Sequence, residues 1–132
     1  MQLVKAEIIA IGDELLYGQI VDTNSHWISQ ELDLMGVKVV RKTTVGDNRP
    51  DILTAFAEAE KRADIVLITG GLGPTQDDLT KPLLAEYFGC EIVEFPVAVE
   101  RQGFVHVDEA ARVGQAVGGG VDIDRQHDEL VV

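Results

Sequence analysis

The chain has 132 residues, 45% hydrophobic and 26% charged, and its 23 acidic against 11 basic side chains give a net charge of −12. This fits one globular domain with a real core, and it disfavours nucleic acid and anionic lipid, whose binding needs a basic face. No apolar run is long enough to span a bilayer, no signal-peptide pattern opens the chain, and the single cysteine, Cys90, has no intrachain partner, so a reducing cytoplasm is the expected compartment with no membrane partner.

Residues 1–95 alternate strand-like and helix-like segments. Lys5–Ile11 is an apolar run ending at Gly12, which predicts a buried strand. Asp22-Thr23 offers an N-cap to a helix in which Ile28, Leu32 and Met35 recur at helical spacing, and Gly36 is placed to stop it. Residues 37–45 are rich in β-branched side chains and read as a second strand. Pro50 sits where a first helical position belongs, with Ile52, Leu53, Phe56 and Ala57 forming an apolar face. Ile65–Thr69 is a continuous IVLIT run suited to a strand covered on both faces. A helix beginning near residues 78–80, with Pro82 in its first turn and Gly89 at its end, leads to a last strand over 90–95.

The β-α-β-α-β-α-β order predicts an α/β fold with a mainly parallel sheet and helices on both faces, three layers in all. Residues 96–132 form a divergent C-terminal segment. From Val97 onward it holds nine valines, five glycines and no lysine, and Gly114 interrupts a short helical stretch over 109–117.

In such sheets ligands bind beyond the carboxyl ends of the strands. Three loops there are rich in polar residues: 12–24, with Asp13, Glu14 and Asn24; 45–48, with Asp47; and 69–80. In the third, Gly70, Gly71 and Gly73 let backbone amides approach an anion, and the next helix adds a partial positive charge. Asp77 and Asp78 would repel a bare phosphate, a conflict that a bridging divalent cation such as Mg²⁺ removes. Thr75 or Thr80 would supply a hydroxyl to phosphate or to metal-bound water. The pattern is neither a P-loop nor a dinucleotide fingerprint. Plainer readings stand beside these: Asp77 or Asp78 caps the third-loop helix, Asp47 caps the helix at Pro50, and Asp13-Glu14 is a solvated turn. His26, His106 and His127 lack metal-ligand spacing, Trp27 reads as core or interface packing, and no nucleophile–base pair stands out.

Three segments, AEIIAIGDELLYGQIVDTN from Ala6, TTVGDN from Thr43 and TGGLGPTQDDLTK from Thr69, resemble the N-terminal domain of the CinA competence- and damage-inducible proteins. That domain belongs to the wider molybdopterin-binding family. The similarity covers residues 1–95, and it implies an α/β/α domain with its site at the loop edge. The molybdenum-cofactor relatives bind molybdopterin and activate it by adenylyl transfer with Mg²⁺, whereas the CinA-type domain is a metal-dependent ADP-ribose pyrophosphatase. Matched by motif, Asp47 and Asp78 correspond to site carboxylates. Gly70, Gly71, Gly73 and Thr80 correspond to a phosphate-facing loop, and Asp13, Glu14 and Asn24 to the first motif. A homo-oligomer is implied as well.

The chain departs from the family pattern in two ways. It has no room for the C-terminal nicotinamide-mononucleotide deamidase domain, so that activity is not expected. The Asn-Arg and Pro-Gly-Thr-Ala-Pro-Gly-like segments that complete the family pocket are not found after Phe95. The leading expectation is a metal-assisted hydrolase of ADP-ribose, giving AMP and ribose 5-phosphate. The alternatives are a non-catalytic pterin- or nucleotide-binding module and a molybdopterin adenylyltransferase.

Overall fold

The computed structural model describes residues 2–73, 75–89, 91–93, 122–124 and 129–131. The elements are β1 (Lys5–Ile11), α1 (Asp13–Leu16), α2 (Thr23–Leu34), β2 (Lys38–Val45), α3 (Arg49–Arg62), β3 (Ile65–Thr69), α4 (Thr80–Phe88), β4 (Glu91–Val93), β5 (Asp122–Asp124) and β6 (Glu129–Val131). The sheet that carries the domain runs β2-β1-β3, with both pairings parallel.

With β1 in the middle, the connection to β2 and the connection from β2 to β3 travel in opposite directions. Right-handed crossovers then place their helices on opposite faces. The packing follows. Ile9 and Ile11 of β1 and Val66 and Ile68 of β3 pack with Ile52, Ala55, Phe56 and Ala59 of α3 and Leu83 and Leu84 of α4. Ala6 and Ile8 of β1 and Leu67 of β3 pack on the other face with Ile28 and Leu32 of α2. Three layers result, and β1 is buried from Ala6 to Ile11. That double burial is why β3 reads as an unbroken apolar run and β1 as one broken only by Glu7, rather than as alternating strands.

β2 is different because it lies at the edge. Its register shifts between Ala6 and Glu7, where Val39 pairs with Ala6 but Arg41 pairs with Glu7. The extra residue reverses the parity of the strand. Val37 and Val39 therefore face the α2 side, while Val45 faces the α3 side.

The caps explain most boundaries. The Asp22 carboxylate accepts the Ser25 N–H at 3.0 Å to start α2, and Gly36, at φ 76°, turns the chain after it. Asn48, not Asp47, caps α3 by accepting the Asp51 N–H at 3.2 Å. Gly89 ends α4 in the left-handed conformation. Met35, expected on the apolar stripe of α2, is the C-cap and is exposed, because the helix stops one residue before it. The buried face of α3 is Ile52, Ala55, Phe56 and Ala59, with Leu53 at its margin.

The strand expected over 90–95 is seen as β4, but it does not extend the main sheet. It pairs in parallel with β6, which pairs antiparallel with β5. Three residues offer few ladder bonds, and β4 makes them with β6. Cys90, the short helix expected over 109–117, His106 and His127 lie outside the described residues. No helix among the described residues is long and apolar enough to cross a membrane.

Candidate functional site

The loops after β1 and β3 leave neighbouring strands toward opposite faces, the first to α2 and the second to α4. This is a topological switch point, and the crevice at its carboxyl edge is where open α/β sheets take ligands. The loop after β2 joins from the other side of β1. The three are in backbone contact: the Gly12 N–H donates to the Val45 carbonyl at 2.9 Å, and Gly70 lies against the Ile11 carbonyl.

Asp13 and Asp47 form a reciprocal clasp. The Asp13 N–H donates to Asp47 Oδ2 at 3.2 Å, and the Asp47 N–H donates to Asp13 Oδ1 at 3.0 Å. Gly46 is buried beneath them, and a Cβ there would stand 2.5 Å from Asp13 Oδ1. The sequence left Asp47 open to two duties, and the structure frees it from one, because Asn48 takes the helix cap. Both carboxylates are half-buried, and neither makes an ion pair among the described residues. Glu14 is exposed and folds its carboxylate back over Gly12. Asp13 and Glu14, for which a solvated turn is the plainer of two readings, open the short helix α1.

The β3 loop is built around two positions. Gly70 and Gly71 have φ of 87° and 64°, a region in which a side chain is strained. A Cβ at Gly70 would run into the Ile11 carbonyl oxygen, and one at Gly71 into the Thr80 hydroxyl. Thr80 is fully buried; its hydroxyl donates to the Gly70 carbonyl at 2.6 Å, and its N–H to the Gly71 carbonyl at 3.0 Å. Thr80 thus shapes the glycine loop from beneath, with its hydroxyl proton already engaged.

Further along the loop, Asp78 gathers the chain around itself. Its Oδ2 accepts from the Thr75 N–H at 3.0 Å and from the Thr75 hydroxyl at 2.6 Å, and a Cβ on Gly73 would meet it. These Thr75 bonds, the Gly73 backbone and the charge of Lys81 hold the carboxyl below its ordinary value. Asp78 is therefore ionised at neutral pH. It does not cap α4, whose N-cap is Leu79 with no side-chain bond. Asp77 and Asn24 are exposed, and among the described residues neither makes a side-chain hydrogen bond. The structure thus joins Asp13 with Asp47, Gly70 and Gly71 with Thr80, and Gly73 and Thr75 with Asp78.

One group escaped the sequence reading. Ser25 is 1% exposed, and among the described residues its hydroxyl has no hydrogen-bond partner. With Ile28 and Leu32 it lies on the sheet-facing side of α2, at the helix end that opens on the carboxyl edge. Its placement after the Asp22-Thr23 cap was the only signal for it, and that signal says nothing about burial.

Among the described residues no three histidine, cysteine, aspartate or glutamate side chains gather into a metal cage. The donors available are carboxylate oxygens in ones and twos. That set fits a hard cation such as Mg²⁺, which uses one or two carboxylates and takes its other ligands from phosphate and water. Asp77 and Asp78, adjacent in the β3 loop, are the residues that would supply them.

Residues 7–123 match the family described as probable molybdopterin binding domain. The CinA-like protein of Cytophaga hutchinsonii is 57% identical over 90 residues, covering 68% of this chain and 22% of that protein. The chain spans about a fifth of the length of such curated relatives. Among solved structures, the CinA protein of Thermoplasma acidophilum superimposes with a TM-score of 0.71 at 24% identity, over 98% of this chain and 88% of that one. The tungsten cofactor synthesizing protein MoaB of Pyrococcus furiosus superimposes with a TM-score of 0.58 at 25% identity, over 99% of this chain and 81% of that one.

Proposed function

The chain belongs to the molybdopterin binding domain family and is similar to CinA-like proteins, and from that premise we propose that it hydrolyses the pyrophosphate of a small nucleotide, ADP-ribose, with a divalent cation. One observation carries this reading. The Asp13–Asp47 clasp, whose carboxylates meet no protein cation among the described residues, adjoins a glycine loop shaped by Thr80 at the switch point of the sheet.

A Mg²⁺ bound here would neutralise charge developing on the leaving phosphate and acidify an attacking water. The protein's part is orientation and charge. The Gly70 and Gly71 backbone, free of side chains, lets phosphate oxygens approach. Asp47 orients the water and receives its proton as the water oxygen bonds to phosphorus. The P–O–P bridge then breaks, leaving AMP and ribose 5-phosphate. Asp78, ionised and fixed by Thr75, would hold the cation with Asp77 beside it. Thr80 keeps the loop in place and touches neither substrate nor metal.

The test is AMP release from ADP-ribose by the full chain, with and without added Mg²⁺, in wild type and Asp78→Asn. Cation-dependent AMP that disappears in the variant is the expected result. A folded wild type that binds ADP-ribose saturably without releasing AMP would make the domain a binding module instead.

A further inference from the structure

Between the clasped Asp13 and the Asp22 cap of α2 runs a segment with little cover. Leu16, Tyr17, Ile20 and Val21 are 50%, 70%, 55% and 82% exposed, four large apolar side chains in six residues. Single exposed apolar residues are ordinary, but a run of them on one short turn beside a ligand edge is a feature in itself.

The backbone of this turn is bonded only to itself. The Tyr17 N–H donates to Asp13, the Gly18 N–H to Leu15, and the Gln19 and Ile20 N–H groups to Glu14. Among the described residues no hydrogen bond joins residues 16–21 to a distant part of the chain. Gly18 sits at φ 73° with no atom within 4 Å of a Cβ built there. The two ends, in contrast, are fixed, one by the clasp to Asp47 and the other by the Asp22–Ser25 cap. Few buried contacts and only local bonds are the marks of a segment that moves at low cost.

The polar part of the site accounts for phosphate and cation, but carboxylates and glycines have no affinity for a flat ring. We propose that residues 16–21 are a strap that closes over the planar heterocycle of a ligand whose phosphate lies at the glycine loop, with Tyr17 as the aromatic contact and Ile20 beside it. This rests on the ligand site assigned above and adds its specificity. Ring stacking on an aromatic side chain works for any base, because every base has a π face. The ring covers side chains that otherwise meet water.

The experiment compares two probes that differ by the ring, AMP and ribose 5-phosphate, titrated calorimetrically with Mg²⁺ into the full-length wild type and a Tyr17→Ser/Ile20→Ser double variant. Both replaced side chains are exposed, so the circular dichroism and melting curve stay as in wild type. The expected result is AMP affinity weakened by about five- to a hundredfold, with ribose 5-phosphate changed by less than about twofold. In parallel, AMP should slow chymotrypsin cleavage after Tyr17, whereas ribose 5-phosphate should not. Equal loss for both probes, no loss for either, or cleavage indifferent to AMP overturns the strap while leaving the phosphate site standing. Failure of the wild type to bind either probe overturns the site itself, and the strap with it.

Discussion

The two ends of the parallel sheet treat carboxylates in opposite ways. Toward its start, β1 buries Glu7 completely, and the side chain is answered in full. Arg62 donates to both of its oxygens at 2.9 and 2.7 Å, and the Thr43 hydroxyl donates at 2.9 Å. Burial pushes this carboxyl up, but the Arg62 and Thr43 hydrogen bonds and the charges of Arg62 and Arg41 outweigh it, and the net shift is downward. At the carboxyl end, among the described residues, Asp13 and Asp47 receive only each other's backbone N–H groups and are half-buried without a cation. A carboxylate that the fold has neutralised belongs to the structure. A pair that the fold positions but leaves uncompensated is, on the function proposed above, kept for the reaction rather than for the core.

That contrast is broken most severely at Arg62. Arg62→Met leaves Glu7 buried and unpaired, and chemical denaturation at pH 7 should show a loss of about 3–5 kcal/mol. The pH dependence fixes the sign. Glu7 has a folded value below its ordinary 4.5, so its contribution is present above that value and is lost as pH falls through the folded one. Without Arg62, burial dominates and the folded value rises. The deficit of the variant should therefore shrink as pH is lowered and Glu7 takes up a proton.

Next in size is the glycine loop. Gly70→Ala forces a Cβ against the Ile11 carbonyl at positive φ and should cost about 2–4 kcal/mol with loss of ligand binding. Thr80→Val keeps the shape but strips the Gly70 carbonyl of its donor, a loss of about 1–3 kcal/mol in the same denaturation assay. Thr75→Val removes the strongest of the bonds that hold the Asp78 carboxyl low. The acid limb of the activity profile should move to higher pH, with little change in stability.

The smallest effect belongs to Ser25. Ser25→Ala removes a buried hydroxyl that bonds nothing among the described residues, so stability should stay within about 0.5 kcal/mol of wild type or rise. A clear loss would show that the hydroxyl is satisfied in solution, by water or by a ligand carried through purification.

The same contrast separates what the residues announce from what they conceal. β1 and β3 were legible because burial on both faces writes a continuous apolar run, and α2 and α4 because Asp22 and Gly89 mark their limits. β2 was legible as a strand, but its bulge was not, since the parity change leaves Val37, Val39 and Val45 all looking inward. The loops of the site were recognisable from glycine and carboxylate content and from the family motifs. Which carboxylate meets which was not: Asp13 and Asp47 are 34 residues apart, and only the parallel register of β1 and β2 brings their loops together. Asp47 and Asn48 are equally plausible caps by residue type, and backbone geometry chose Asn48. Glu7 looked like one polar residue in an apolar strand, because its partner Arg62 lies 55 positions away.

The claim that the carboxyl edge is held in reserve for a cation-borne phosphate is tested most directly by calorimetric titration of ADP-ribose, with and without Mg²⁺, into wild type and Asp78→Asn. Mg²⁺-dependent binding to wild type should be lost in Asp78→Asn, while the melting temperature of the variant stays close to that of wild type. Equal binding by the two proteins, or binding indifferent to Mg²⁺, would contradict it.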